Sequence, residues 1–249
     1  MSHAVEEVNV PLSQRSACSE TAPEYQNFDH NVMDFGPDEK DSTKEIPRLI
    51  KKAASLKVNV KYEPENDNLV RLQVEVVNTN AGHKFPTDSP LRHLILLVKP
   101  TDQFNSPLRQ VSGNTIPDWG GSQSNSNYPG ILGYAGMAGT IYANLMVDEK
   151  TGLSPTAAYW RQTRQLYITA DGKSSDTRLS PRDPQITEYE FQVPDLGNIR
   201  VQVQLIYRFA FFDLMMQKDW NRPDVIAAEI NCEIDISQPH EHECSSDRR

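Results

Sequence analysis

The sequence has no long apolar run and no excess of basic residues. None of its apolar segments approaches the ~18 residues needed to span a bilayer. The first residues, Met1 to Glu7, are acidic and lack the apolar core of a signal peptide. We therefore expect either a cytoplasmic chain or one whose export segment lies upstream. The formal net charge of −9 argues against nucleic acid and anionic membranes as partners, although a basic protein would suit an acidic surface.

Cysteine is scarce, with only Cys18, Cys232 and Cys244 in 249 residues. An odd number at wide spacing argues against a disulfide framework and against Cys-x-x-Cys metal sites. The Cys-x-x-Cys-His attachment site of a c-type haem is also absent, so no covalently bound haem is expected. We predict that the chain folds on its apolar core without such crosslinks.

Catalytic signatures are missing as well. The sequence contains no Gly-x-Ser-x-Gly, P-loop or His-Glu-x-x-His pattern. Cys18 and His30 share a polar arm that offers no preorganised pair. The run His240-Glu241-His242-Glu243-Cys244 has the composition of a metal site, but nothing upstream completes one. We predict no catalytic residues, no functional metal site and no enzymatic activity.

What the sequence does contain is a series of short apolar or alternating segments, which are typical of antiparallel strands. One of them, His93–Lys99, is nearly all apolar and is expected to be buried on both faces. Ile46–Leu56 has the spacing of a short helix. The predicted strands are Lys57–Glu63, Leu69–Asn78, His93–Lys99, Gln165–Thr169, Thr187–Val193, Ile199–Phe209 and Ala228–Ile236.

These segments predict a mainly β protein, an antiparallel β-sandwich. We divide the chain into an irregular N-terminal arm (1–41), the sandwich with the short helix (42–238) and a flexible tail (239–249). A long irregular insertion spans 101–156. Its aromatic residues could line a groove or could anchor the insertion, and anchoring is favoured because an ordered insertion needs apolar contacts. The aromatic residues considered for this role are Trp119, Tyr128, Tyr134 and Tyr142.

The loop between the second and third strands carries the densest group of polar residues. It contains Asn, Gly and two prolines, and it presents His83, Lys84, Arg92 and His93. His83 could simply bond to the backbone, or it could act as an axial ligand to haem iron. A second polar group is predicted to be a structural ion-pair set that holds the long loops; its members are Arg92, Asp176, Arg178 and Arg208.

Three separate motifs resemble one family. The run Gly82-His83-Lys84-Phe85-Pro86-Thr87 resembles the signature of the haem-free β-sandwich at the C-terminal end of many multihaem c-type cytochromes. Asp88 stands where that family has glycine. Trp160, the run Asp176-Thr177-Arg178-Leu179-Ser180-Pro181 and the run Leu205-Ile206-Tyr207-Arg208 resemble the second half of the same domain. In addition, Val5, Val8 and Asn9 stand where the family has the two cysteines and the histidine of a haem site, and His30 where it has a later histidine.

The resemblance implies a haem-free accessory domain or subunit of a multihaem electron-transfer system, in the periplasm or outside the cell. Its partner would be a multihaem c-type cytochrome or another redox protein, which would contribute any haem c. His83 and His30 would be the candidate axial ligands. The remaining motif residues would be structural or interface residues: Lys84, Phe85, Arg92, His93, Trp160, Asp176, Arg178, Tyr207 and Arg208. The alternative is an adhesion-type sandwich that binds a ligand or protein without a redox role.

Overall fold

The computed structural model describes eleven stretches of the chain. They are residues 4–5, 28–29, 50–63, 68–87, 89–121, 133–156, 163–165, 175–194, 197–220, 222–237 and 240–246. The strands, in chain order, are β1 (Ala4–Val5), β2 (Phe28–Asp29), β3 (Ala54–Glu63), β4 (Leu69–Asn78), β5 (His93–Thr101), β6 (Arg109–Ser112), β7 (Gly139–Ala143), β8 (Met146–Asp148), β9 (Thr163–Gln165), β10 (Gln185–Gln192), β11 (Asn198–Arg208), β12 (Val225–Asp235) and β13 (His240–Ser245). Helical turns occur at α1 (50–53), α2 (Asp118–Gly121) and α3 (Phe212–Gln217).

Two antiparallel sheets form the predicted β-sandwich. The five-stranded sheet has the order β13-β3-β4-β10-β6, and the four-stranded sheet has the order β12-β11-β5-β7. β4 shows why the sequence folds this way, because Val70, Leu72, Val74 and Val76 are fully buried while the residues between them face outward. Each such side chain contributes roughly 1.5–3 kcal/mol when it leaves water. One core cluster contains residues of both sheets, so the sheets pack face to face.

β5 is buried on both faces, as its continuous apolar sequence predicted. Leu94, Leu96 and Val98 point into the core between the sheets. Ile95 and Leu97 point to the opposite face, into a second cluster with Ile116, Tyr134, Ile141 and Ile206. Part of the segment between β6 and β7 therefore covers the outer face of the four-stranded sheet and forms a third layer.

The segment 101–156 is less irregular than its composition indicated. It supplies β6 to the edge of one sheet and β7 to the edge of the other, and Met146–Asp148 pairs with Thr163–Gln165. Three of its aromatic rings point inward, with Tyr134 and Tyr142 buried and Trp119 partly buried, whereas Phe104 is exposed. This arrangement fits anchoring better than a groove. Tyr128 lies outside the described residues.

The predicted helix is too long at its C-terminal end. Residues 50–53 are helical, but the chain enters β3 at Ala54, which pairs with Asn78. Sheet pairing prevails because Leu56, Val58 and Val60 alternate into the core, which a continued helix would prevent. Residues 46–49 lie outside the described residues.

The tail was wrongly predicted as flexible, and the argument against disulfides from the number and spacing of the cysteines was wrong as well. His240–Ser245 forms β13, which pairs with β3, and Cys244 is disulfide-bonded to Cys232 of β12. The spacing rule failed because the partners lie on edge strands of different sheets, which the fold brings together at a Cα–Cα distance of 6.6 Å.

The N-terminal arm is described only at two places. Ala4 and Val5 pair with Asp29 and Phe28. Val5, one of the residues at the degenerate haem site, is therefore in β1, whereas Val8 and Asn9 lie outside the described residues. Nothing in these few residues tests the domain boundaries.

Candidate functional site

Asn78, the last residue of β4, closes the loop that carries His83. Its side chain is fully buried, and its Nδ2 donates to the carbonyls of His83 (2.8 Å) and Leu179 (3.1 Å). Its Oδ1 accepts from the amide of Ala81 at 3.0 Å. One buried amide thus bonds to three backbone groups, two of them in the irregular loop.

His83 is half-buried and is fixed by its own loop. Its Nδ1 lies 3.0 Å from the carbonyl oxygen of Lys84. Because a carbonyl can only accept, Nδ1 carries the proton in the neutral ring and Nε2 holds the lone pair. Nε2 is buried within the protein. The ring therefore has the tautomer of a metal ligand, but its ligating atom does not face solvent in this conformation.

Phe85 brings the three motifs together. Its amide donates to the carbonyl of Leu179 at 2.9 Å, and the amide of Leu179 donates back at 2.8 Å. Its buried ring lies parallel to that of Tyr207, with centroids 6.3 Å apart. The bond to Pro86 is cis. We call His83–Phe85, Asp176–Leu179 and Tyr207 the loop junction.

A carboxylate with two cations completes the loop junction. Asp176 accepts from Arg178 through both oxygens (2.8 and 2.9 Å) and from Lys84 Nζ at 2.8 Å. Burial raises the pKa of Asp176, but the hydrogen bonds and charges of Arg178 and Lys84 outweigh it and hold the pKa well below its usual value. The carboxylate is therefore ionised at neutral pH and joins two motifs that are far apart in sequence.

Arg208 forms a separate, buried site. Its guanidinium donates to both oxygens of Asp224 (2.8 and 2.7 Å) and to the carbonyls of Gly120 (3.1 Å) and Gly121 (3.0 Å) at the end of α2. It also lies 5.5 Å from the centre of the Tyr134 ring. The fork of donors suits a bidentate carboxylate and two carbonyls at once. We call Arg208, Asp224, Gly120, Gly121 and His93 the buried arginine site.

His93, at the start of β5, is fully buried beside Arg208. Its Nδ1 lies 3.1 Å from the carbonyl of Leu91, and its Nε2 lies 3.2 Å from that of Gly120. The ring stacks on Phe211 with centroids 5.4 Å apart. Burial lowers the pKa of His93 to about 4, assisted by the charge of Arg208 and opposed by the two carbonyls. His93 is therefore neutral at physiological pH and packs as an aromatic core residue.

The four residues of the predicted ion-pair set lie in three places. Asp176 and Arg178 form a pair in the loop junction, whereas Arg208 pairs with Asp224. Arg92 is buried elsewhere, with its guanidinium 5.9 Å from the centre of the Phe209 ring. The prediction of one set was therefore wrong, because sequence order does not show which carboxylate each arginine reaches.

Two predicted site residues, His30 and Trp160, lie outside the described residues, as does Asp88. Within the described ranges, no three His, Cys, Asp or Glu side chains are grouped to hold a metal ion. Of the helices in these ranges, none is long and apolar enough to cross a membrane. Asn78 and Asp224 were missed by sequence reasoning, since neither belongs to a local motif.

The fold defines a class of proteins, two-sheet antiparallel β-sandwiches with a partial third layer. Among solved structures, the chain is similar to a penta-heme cytochrome c552 from Thermochromatium tepidum, with a TM-score of 0.50 and 19% sequence identity. The match covers 76% of this chain and 41% of that cytochrome. At this identity the likeness establishes the fold alone. No family model and no curated protein matches the chain.

Proposed function

We propose that this chain is a haem-free accessory domain or subunit of a multihaem c-type cytochrome electron-transfer system, and that it acts by docking to a haem-bearing partner. The observation that carries the proposal is the similarity in fold to a penta-heme cytochrome over 76% of this chain. This chain itself lacks a Cys-x-x-Cys-His site. The motifs that suggested the same family meet at the loop junction.

Shielding of a partner's haem is favoured over its ligation by His83. The ring has the tautomer that an iron ligand needs, but Nε2 is buried and the loop is held by Asn78. Ligation would require the loop to open, and that would break the two hydrogen bonds that join Asn78 to His83 and Ala81. Docking requires no such change.

The Cys232–Cys244 disulfide supports a periplasmic or extracellular location for this system. Disulfides persist in oxidising compartments and are rare in the cytosol of mesophiles. This argument is independent of the family resemblance. Non-reducing peptide mapping of protein from the native host checks it, and two free thiols at these positions would contradict it.

The test is affinity capture of partners from the native host with the tagged full-length chain. We expect a Soret band in the bound fraction that stays with the protein after acid–acetone extraction, as covalent haem c does. Three versions are compared: wild type, His83→Ala, and His242→Ala, which replaces an exposed histidine on β13.

Equal haem capture by all three versions, with unchanged spectra, supports docking without ligation. A spectral change with His83→Ala alone would indicate ligation. Bound fractions without haem would defeat the proposal and leave the alternative, a sandwich that binds a ligand or protein without a redox role. For that alternative the described surface offers a polar groove between Lys99, Arg200 and Glu233, since Trp119 and Tyr134 are used in packing.

A further inference from the structure

Strand β13 is attached to the sandwich with little help from apolar side chains. The side chains of Glu241, His242, Glu243 and Ser245 are all exposed. The ion pair between Lys57 and Glu243 is 2.7 Å long but is itself exposed, so water screens it. Hydrophobic burial, which holds β3 and β4, therefore contributes little here. The main attachments are backbone pairing with β3, the disulfide, and the packing of Cys244, which is partly buried against the core.

The residues on either side of this pairing show what the attachment protects. Ser246 fastens the end of the strand, because its Oγ accepts from the amide of Leu56 at 2.8 Å and lies 3.1 Å from the same residue's carbonyl. The inward side chains of β3, including Val58 and Val60, are fully buried. Without β13, β3 would become an edge strand with unpaired backbone groups. The disulfide adds a link to β12, the edge of the other sheet.

We propose that the Cys232–Cys244 disulfide is a reducible latch that keeps β13 on the edge of β3. Cys244 is the more exposed of the two, so a dithiol donor, as its thiolate, attacks the Cys244 sulfur. A mixed disulfide forms, and Cys232 leaves as a thiolate that takes up a proton. The second thiol of the donor then displaces Cys244, which also takes up a proton, and the donor ends as a disulfide.

Once the latch is open, β13 is held by its backbone pairing with β3, by the contacts of Ser246 and by exposed polar side chains that water screens, so it opens from β3 far more often. The rest of the sandwich stays folded, since β13 adds only the partly buried Cys244 to a core that is otherwise built by other parts of the chain.

Hydrogen exchange measured by mass spectrometry on the full chain tests the latch, with dithiothreitol as the dithiol. In the reduced protein we expect exchange in the peptides covering Ala54–Glu63 and His240–Ser245 to become at least about 10-fold faster, with no change in Asn198–Arg208. Cys244→Ser should show the fast exchange without reductant. Cys18→Ser, the matched control, should behave as wild type. Alkylation confirms that both thiols are free after reduction.

Two results would overturn the proposal. Unchanged protection of Ala54–Glu63 in the fully reduced protein would mean that pairing alone holds β13. Loss of protection in Asn198–Arg208 as well would mean that the disulfide stabilises the whole domain and is not a latch for one strand.

Discussion

Two arginine–carboxylate pairs hold two different loops onto the same sandwich, and they differ mainly in burial. The side chains of Arg208 and Asp224 are 0% and 8% exposed, and those of Arg178 and Asp176 are 19% and 14% exposed. The first pair is surrounded by carbonyls and rings, whereas the second has a further cation, Lys84, that is 43% exposed. Burial therefore decides how much stability is lost when one partner of such a pair is removed, because water cannot hydrate the charge that stays behind in the interior.

Arg208→Ala should have the largest effect on this comparison. It would leave Asp224 without its partner in a buried site and would remove one donor from each of the carbonyls of Gly120 and Gly121. We expect a loss of about 3–5 kcal/mol in the free energy of unfolding. Urea denaturation measures it. A loss below about 1 kcal/mol would show that water replaces the guanidinium, and the site would then not be dry.

The acid sensitivity of the buried arginine site should come from His93. Its pKa is about 4 in the folded protein and near 6.5 in the unfolded chain, so the unfolded chain binds an extra proton between these values. Stability is therefore complete above pH 6.5 and falls as the pH decreases towards 4, by up to about 3 kcal/mol.

Urea denaturation at several pH values measures this loss for wild type and His93→Phe. The variant should lose much of the pH dependence in this window, whereas the exposed-site control His242→Ala should keep it. An unchanged pH profile in His93→Phe would assign the effect to another group.

In the loop junction, Asp176→Asn should cost less than the loss of Arg208, about 1–2 kcal/mol, because the site is partly hydrated. The depressed pKa of Asp176 gives stability that is present above the unfolded value near 3.9 and is lost as the pH falls below it. The asparagine variant should lack this part of the acid response. Denaturation at pH 7 and pH 3 measures both, and a cost equal to that of Arg208→Ala would remove the distinction between the sites.

Lys84→Ala should have the smallest effect, below about 1 kcal/mol, because its ammonium is exposed and Arg178 still holds both oxygens of Asp176. The same denaturation assay measures it, with and without added salt. A loss well above this value would mean that the lysine, and not the arginine, fastens the loop.

The parts of the fold predicted from sequence are the strands in which the alternation of apolar and polar residues indicates which side chains are buried. Val70, Leu72, Val74 and Val76 alternate, and a face buried against the other sheet follows directly. β13 gave no such signal, since its side chains are polar and its position depends on β3 and a disulfide. Whether such a polar segment forms an edge strand depends on the strand it pairs with and not on its own sequence.

Several residues of the loop junction belong to motifs seen in the sequence, but their contacts were not predicted. The motif residues His83, Phe85, Asp176 and Tyr207 do meet, yet no local pattern indicated that Asn78 would close the loop or that Asp224 would take Arg208. These contacts join residues distant in sequence, such as Asn78 and Leu179. Composition and spacing describe one segment at a time and do not contain this information.

The burial of β5 on both faces has a consequence for how freely its sequence can change. In β4 every second position faces outward and can accept polar residues. From Leu94 to Val98, by contrast, each side chain packs into one of two apolar clusters. A polar or larger residue at any of these positions would therefore disrupt the packing of one cluster. A comprehensive substitution survey would thus show a striped pattern of tolerance along β4 and an unbroken intolerant block along β5. Few substitutions should therefore accumulate in β5 during evolution.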